Sequence, residues 1–382
     1  MSVAIASTGL TKFGRRNEGL IELLVEAGRE ALEGAPASAR RPDCVVVGSM
    51  AAGALAGLES LVPRVANGLG LAGLPGWRVE SASATGAGAF QLGAHLVASS
   101  AFERVLVLAG EKMTAQATGP TTTALARSLS ANEVRHGATM PSIASLLSQL
   151  YLARYHLSIE DVAEVTVRNR ACAQGNPKAQ FPSAVTAAQV NESRMVSSPL
   201  RLLHVSAISD GAGAVLLTRP SSRESVVVRG MGQATDVLEV ASRPMEPLGF
   251  RATRQAARAA YDQAGVGRKE VQTSEVHDAF APFQLIDLED LGFCGPGEGL
   301  AWTRAGRGDP NGVLPVNPSG GLLGRGHPVG VSGLAQIIEV DRQLRGEAGR
   351  MQAGSPRVGL AQSVGGLGSH NFVTILGREQ SA

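Results

Sequence analysis

Val79–Val97 reads VESASATGAGAFQLGAHLV, and Arg325–Val340 reads RGHPVGVSGLAQIIEV. Each is a turn rich in small residues that runs into a helical pattern, Ala84–Ser99 in the first and Val329–Arg345 in the second. Ser83 stands just before the first helix and His327 just before the second, so the two hold matching places at helix N-termini. Free N–H groups and the positive end of the helix dipole make such places suited to anionic or polarised groups.

The order of elements around these stretches repeats. In the first copy an opening strand at Val3–Ser7 leads to a helix over Glu18–Leu32, with Leu20, Leu23, Leu24, Ala27 and Ala31 on one face. A strand at Cys44–Gly48 and the apolar run Arg104–Ala109, RVLVLA, follow, and Gly213–Thr218 closes the unit. The second copy has a helix at Arg251–Gly265, a strand over Ser274–Phe280 (SEVHDAF), a strand at Val358–Gln362 and a closing strand at Asn371–Leu376. Alternating strands and helices predict an α/β protein with a mostly parallel sheet, built by internal duplication. The halves are expected at residues 1–230 and 231–382, the first carrying an insertion over about residues 112–200 that includes a helix at Ser142–His156.

Composition narrows the function classes. The chain has 382 residues, 47 of them Gly, with 44% apolar and 4% aromatic residues, a profile of small-residue packing rather than an aromatic-rich binding module. A formal charge of +2 supplies no field that would attract nucleic acid, so small-molecule chemistry is expected. Three cysteines, Cys44, Cys172 and Cys294, form no paired framework, no leader is read at the N-terminus, and no apolar run is long enough to span a membrane. A cytoplasmic protein without a metal site is expected.

Four segments carry a family resemblance: Val79–Ala89 (VESASATGAGA), Ser206–Val215 with its ISDGAGAV, Glu275–Phe280 (EVHDAF) and Asn317–Gly333 (NPSGGLLGRGHPVGVSG), followed by AQSVGGLGSHNF near the C-terminus. Together they resemble the thiolase superfamily. The HDAF form, EDLGFCGPGEG and the early TKFGR are most similar to thiolases of the sterol-carrier-protein-2 type and to acetyl-CoA acetyltransferase-like proteins. The resemblance implies a thiolase fold, duplicated αβαβα halves in five layers with an inserted loop domain. It also implies a coenzyme A thioester as substrate, no further cofactor, a homodimer or tetramer, and room for a small accessory protein.

Carried over position by position, the resemblance puts the nucleophile on Ser83, its activating histidine on His327, and the histidine that helps hold the thioester oxygen on His277. The second family cysteine falls on Ser363, and Gly365 offers an oxyanion-hole N–H. Serine stands at both cysteine positions. A thiolate at a helix N-terminus beside a histidine is nucleophilic near neutrality, whereas a hydroxyl needs full proton removal by a base. Three functions follow: acyl transfer through Ser83, a non-covalent retro-aldol or Claisen-type lyase, or a non-catalytic acyl-CoA-binding subunit.

Each residue also has a plainer reading. Ser83 suits a helix N-cap, His277 a satisfied core histidine, His327 a packed turn residue and Ser363 a small residue at a crowded point. Cys294, His204 and His370 are read as structural. Gly365, Gly366 and Gly368 close a strand rather than open a βαβ unit, which excludes a dinucleotide fingerprint.

Overall fold

The computed structural model describes residues 3–220, 225–244 and 248–378. Its strands are β1 (Ala4–Leu10), β2 (Cys44–Gly48), β3 (Gly76–Val79), β4 (Val105–Lys112), β5 (Met195–Ser197), β6 (Leu200–Arg201), β7 (Asp210–Thr218), β8 (Val226–Thr235), β9 (Thr273–Glu275), β10 (Val358–Gly365) and β11 (His370–Arg378). β5 and β6 form a separate hairpin; the other nine make one sheet in the order β3-β2-β4-β7-β1-β8-β11-β10-β9.

That order displays the duplication. Outward from the middle, β1, β7, β4 and β2 are mirrored by β8, β11, β10 and β9, with β3 added at one edge. The halves join where Ala4 and Ile5 pair with Val227 and Val226. The division expected after residue 230 runs through β8.

The sheet is mixed, which corrects the expectation of a mostly parallel one. Only β2–β3, β2–β4 and β9–β10 pair in parallel; β4–β7, β1–β7, β1–β8, β8–β11 and β10–β11 are antiparallel. For β10–β11 the reason is connection length. β10 turns straight into β11 through Gly366–Gly368, and strands joined without a crossover helix pair antiparallel.

The two sections of the sheet enclose two central helices, Thr85–Ala98 and Ser332–Arg345, while the Leu20–Gly34 helix covers the outer face of one section and Arg251–Ala264 the other. This gives the five layers. Leu20, Leu23, Leu24, Ala27 and Ala31 are all buried, so the outer helix uses the face its periodicity marks. β2 and β4 are buried at every position, as strands covered on both faces must be. The central helices meet through their smallest residues: a methyl added at Gly86 would lie 2.7 Å from the Leu334 nitrogen, and one at Gly333 would lie 2.9 Å from the Ala87 nitrogen.

The expected strand over SEVHDAF is shortened to Thr273–Glu275. Side chains, not a neighbouring strand, take the next backbone donors: Val276 N–H goes to Asn317 Oδ1 at 2.8 Å and His277 N–H to Gln362 Oε1 at 2.8 Å. The chain therefore leaves the sheet at His277. Likewise the second central helix begins at Ser332, because Pro328 and the close-packed Gly330 shape the preceding turn.

Candidate active site

The turn before the first central helix is held by its own polar groups. Thr85 Oγ1 accepts from Ser81 N–H at 2.9 Å and donates to the Ala82 carbonyl at 2.6 Å, and Ala82 N–H donates to Glu80 Oε1 at 2.6 Å. Ala82 sits at φ +50, in the left-handed region that side chains avoid. This tight turn presents Ser83, which is 6% exposed, to a cavity of about 650 Å³. The N-cap position belongs to Ala84, without a side-chain cap bond, so Ser83 does not play the cap role.

His277 and His327 line the same cavity. Their rings pack edge to face, with centroids 5.1 Å apart and planes at 84°. His327 N–H donates to Ser209 Oγ at 3.0 Å, and its Nδ1 lies 2.7 Å from Ser332 Oγ. The Ser332 hydroxyl itself donates to the Pro328 carbonyl at 2.9 Å. When Ser332 spends its proton on that carbonyl it accepts from His327 Nδ1–H, and Nε2 is then a lone-pair base, the tautomer that base catalysis by His327 requires. His277 Nδ1 is buried without a partner among the described residues. An orphaned lone pair costs less there than an orphaned N–H, which puts the proton on Nε2 and makes that edge a donor.

Burial keeps both rings neutral. His327 is pushed down to about 3 and His277 well below its ordinary value, in each case first by desolvation and then by neighbouring positive charge, that of Arg325 among it. Arg325 is fully buried, 3.4 Å from Glu275 Oε2 and 3.1 Å from Ser319 Oγ. Asp278, next to His277, accepts from Leu322 N–H at 2.7 Å, Leu323 N–H at 3.2 Å and Asn169 Nδ2 at 2.6 Å, tying the histidine loop to the Gly321–Arg325 helix.

Of the five residues expected at the site, Ser83, His277 and His327 share the cavity. Gly365 abuts the Ser83 turn, since a methyl placed on it would lie 2.4 Å from the Ser81 carbonyl oxygen and 3.2 Å from the Ala84 nitrogen. Ser363 is not among the lining residues, although its neighbour Val364 is. Its buried hydroxyl has no partner among the described residues and lies at the crossing of the central helices, 2.8 Å from where a methyl on Gly333 would sit.

His204 is fully buried, accepts from Arg201 N–H through Nδ1 at 3.3 Å and is pushed down to about 4 by burial. His370 lines a different cavity. Burial raises the Cys294 thiol to about 12, which makes it a poor nucleophile.

The rest of the wall is mostly apolar and comes largely from the 112–200 insertion, with Met140, Phe181 and Val196, and from residues 202–208, joined by Phe280 and Phe283 at the start of the Ala281–Asp290 helix. Two charged residues join it, Arg170 and Arg194. Sequence reasoning missed both, because an arginine in a charged helix, as at Arg170, or in a polar loop, as at Arg194, reads as a solvated residue.

Family comparisons agree with this architecture. The thiolase N-terminal domain model matches residues 3–221 and the thiolase C-terminal domain-like model matches 232–378. The chain belongs to the thiolase superfamily. Within it, the chain is 37% identical over 382 residues to an acetyl-CoA acetyltransferase of Methanothermobacter thermautotrophicus, covering 98% of this chain and 99% of that one. It is also 30% identical over 403 residues to sterol carrier protein 2 of Oryctolagus cuniculus, covering 98% of this chain and 71% of that protein. Among solved structures the Ltp2-ChsH2(DUF35) aldolase superposes with a TM-score of 0.86 at 24% identity, covering 100% of this chain and 99% of that one. Within the superfamily the chain is similar to the sterol-carrier-protein-2 type, with serine where the family resemblance places its two cysteines.

Proposed function

We propose that this protein acts on a coenzyme A thioester, making or breaking the carbon–carbon bond beside the thioester carbonyl without a thiolate. The observation that supports this is the pair of imidazoles, kept neutral by burial and packed edge to face in one largely apolar cavity. The acyl-CoA class is supported by the archaeal relative, an acetyl-CoA acetyltransferase.

In the cleavage direction His327 Nε2 takes the proton from a β-hydroxyl. The Cα–Cβ bond breaks to give a carbonyl compound, and its electron pair moves onto the thioester oxygen, where His277 Nε2–H stabilises it. The proton then passes from His327 to the α-carbon, which releases a shortened acyl thioester. His327 gains basicity as negative charge develops beside it, since an opposite charge within about 4–6 Å favours the protonated ring. Ser83 serves as a polar wall of the site in this route and as acyl acceptor in the covalent one.

The test is mass-spectrometric assay of β-hydroxyacyl-CoA cleavage and of acyl adducts, on the wild type, Ser83→Ala, Ser83→Cys and His327→Ala. Cleavage that survives Ser83→Ala but falls about 10²–10⁴-fold in His327→Ala supports the lyase. An acyl adduct on wild-type Ser83 moves the reading to covalent transfer. Turnover unaffected by His327→Ala removes His327 as the base, and thioester binding with no turnover in the wild type overturns the enzyme reading and leaves a binding subunit. For assembly, a homodimer is proposed, with light scattering as the check. Among the described residues no helix is long and apolar enough to cross a membrane.

A further inference from the structure

Arg170 is 8% exposed and lines the cavity shared by Ser83, His277 and His327. Other buried cations of this protein have carboxylate partners: Lys112 meets Asp210 at 2.7 Å and Arg325 meets Glu275 at 3.4 Å. Arg170 has none among the described residues. Its Nε–H donates to the Ser183 carbonyl at 3.2 Å, which leaves both terminal nitrogens of the guanidinium unassigned. Burial lowers its pKa from the ordinary value, with no acidic neighbour opposing the effect.

The guanidinium is held in place. It lies over the Phe181 ring, 4.5 Å from the centroid. Phe181 N–H donates to the Gly324 carbonyl at 3.2 Å and Gln180 N–H to the Arg325 carbonyl at 2.9 Å, so this platform is fastened to the turn that delivers His327. On the other side Asn169 donates to Asp278 at 2.6 Å and to Gln284 at 2.7 Å, fixing the helix that carries Arg170 against the His277 loop. Arg170 is thereby anchored to both histidine segments. Arg194, by contrast, is exposed where it borders the cavity.

A buried cation without a carboxylate among the described residues, on a rigid mount in the wall of a largely apolar cavity, costs free energy unless a ligand compensates it. The ligand group must be anionic, and a planar bidentate carboxylate matches the free edge of the fork. Two sources carry anionic oxygens on a coenzyme A thioester: a carboxylate on the acyl chain and the phosphates of the carrier. Phosphates are strongly hydrated and suit an exposed position such as that of Arg194. The buried position beside the histidine segments is where the acyl end must lie for reaction.

We propose that the protein selects acyl thioesters whose acyl chain bears a carboxylate, and that Arg170 is the residue that reads it. This rests on the acyl-CoA reading above.

Binding of two unreactive thioethers, S-(3-carboxypropyl)-CoA and S-butyl-CoA, measured by calorimetry, tests this without requiring turnover. The wild type is expected to bind the carboxylate-bearing thioether about tenfold or more tightly. In Arg170→Gln the preference shrinks to about twofold while S-butyl-CoA binding is retained; Arg194→Gln keeps the preference. Equal wild-type affinity for both thioethers overturns the proposal and leaves the acyl-CoA reading intact. Parallel weakening of both in Arg170→Gln also overturns it, assigning Arg170 to the carrier phosphates. Failure of the wild type to bind either thioether overturns both readings. Thermal unfolding shows whether Arg170→Gln is folded; if it is not, the wild-type comparison and Arg170→Lys decide, the lysine being expected to keep binding with a reduced preference.

Discussion

A histidine serves as a base or a donor only in the right protonation state, and here burial sets that state. His327, lowered to about 3, stays neutral far below the ordinary histidine value. Its folded pKa is depressed, so the stability linked to the neutral ring is present above about pH 6.5 and lost as pH falls toward 3. The same shift predicts that kcat/KM for thioester cleavage has no acid limb centred near 6.5; a pH–rate profile showing such a limb would assign the base elsewhere. Glu275 has the opposite sign. Burial raises it to about 7, against the opposing pull of Arg325, so the stability linked to its protonated form is present below about 4.5 and lost as pH rises through about 7. Glu275→Gln cannot ionise. It should reduce the decline in stability between pH 5 and 8 by about 3 kcal/mol, read by urea unfolding at the two pH values. Ser83, His277 and His327 were legible in the sequence because their short motifs fix local turns. Arg170 was not, because its burial comes from tertiary packing against Phe181 that helix periodicity does not encode.

The turns that lead into the central helices carry Ser83 and His327, so the approach distance of the helices sets the spacing of the site. Gly333 is one tight constraint: a methyl there meets Ser363 Oγ at 2.8 Å and the Ala87 side chain and nitrogen, both at 2.9 Å. The serine hydroxyl can rotate away, but backbone cannot. Gly333→Ala should therefore cost about 1–3 kcal/mol by overpacking, measured by chemical denaturation, and should weaken thioether binding by prising apart the turns bearing Ser83 and His327. Both central helices were legible from composition, although His327 lies four residues before its N-cap Val331 and Ser83 only one before Ala84, so the matching of the two places is approximate. β2 and β4 were legible because burial on both faces demands uninterrupted apolar runs. β8 was not: VVVRGMGQAT interrupts its apolar run with Arg229, Gly230 and Gly232, and those glycines are required where the Arg251–Ala264 helix crosses the strand.

Across the whole molecule, duplication has produced two αβ units that cannot complete their cores separately. The Ser332–Arg345 helix belongs by sequence to the second half, yet it touches β1 and β7 of the first as well as β9, β10 and β11 of its own. Of its fourteen residues only Arg342 and Arg345 are not buried. One hydrophobic cluster accordingly contains Val46, Phe90, Val107 and Leu217 together with Ile337, Val340 and Leu376. A fragment limited to residues 232–378 would expose one flank of that helix to water. At about 25 cal/mol per Å² of apolar surface, uncovering several aliphatic side chains is comparable with the 5–15 kcal/mol of net stability typical of a whole domain. The full chain should therefore unfold in one transition, with circular dichroism and an engineered fluorophore in either half reporting the same midpoint. Expressed alone, the 232–378 fragment should lack cooperative unfolding. Two separated midpoints, or a cooperatively folding fragment, would show that each half carries its own core and that the central helices are an interface between them.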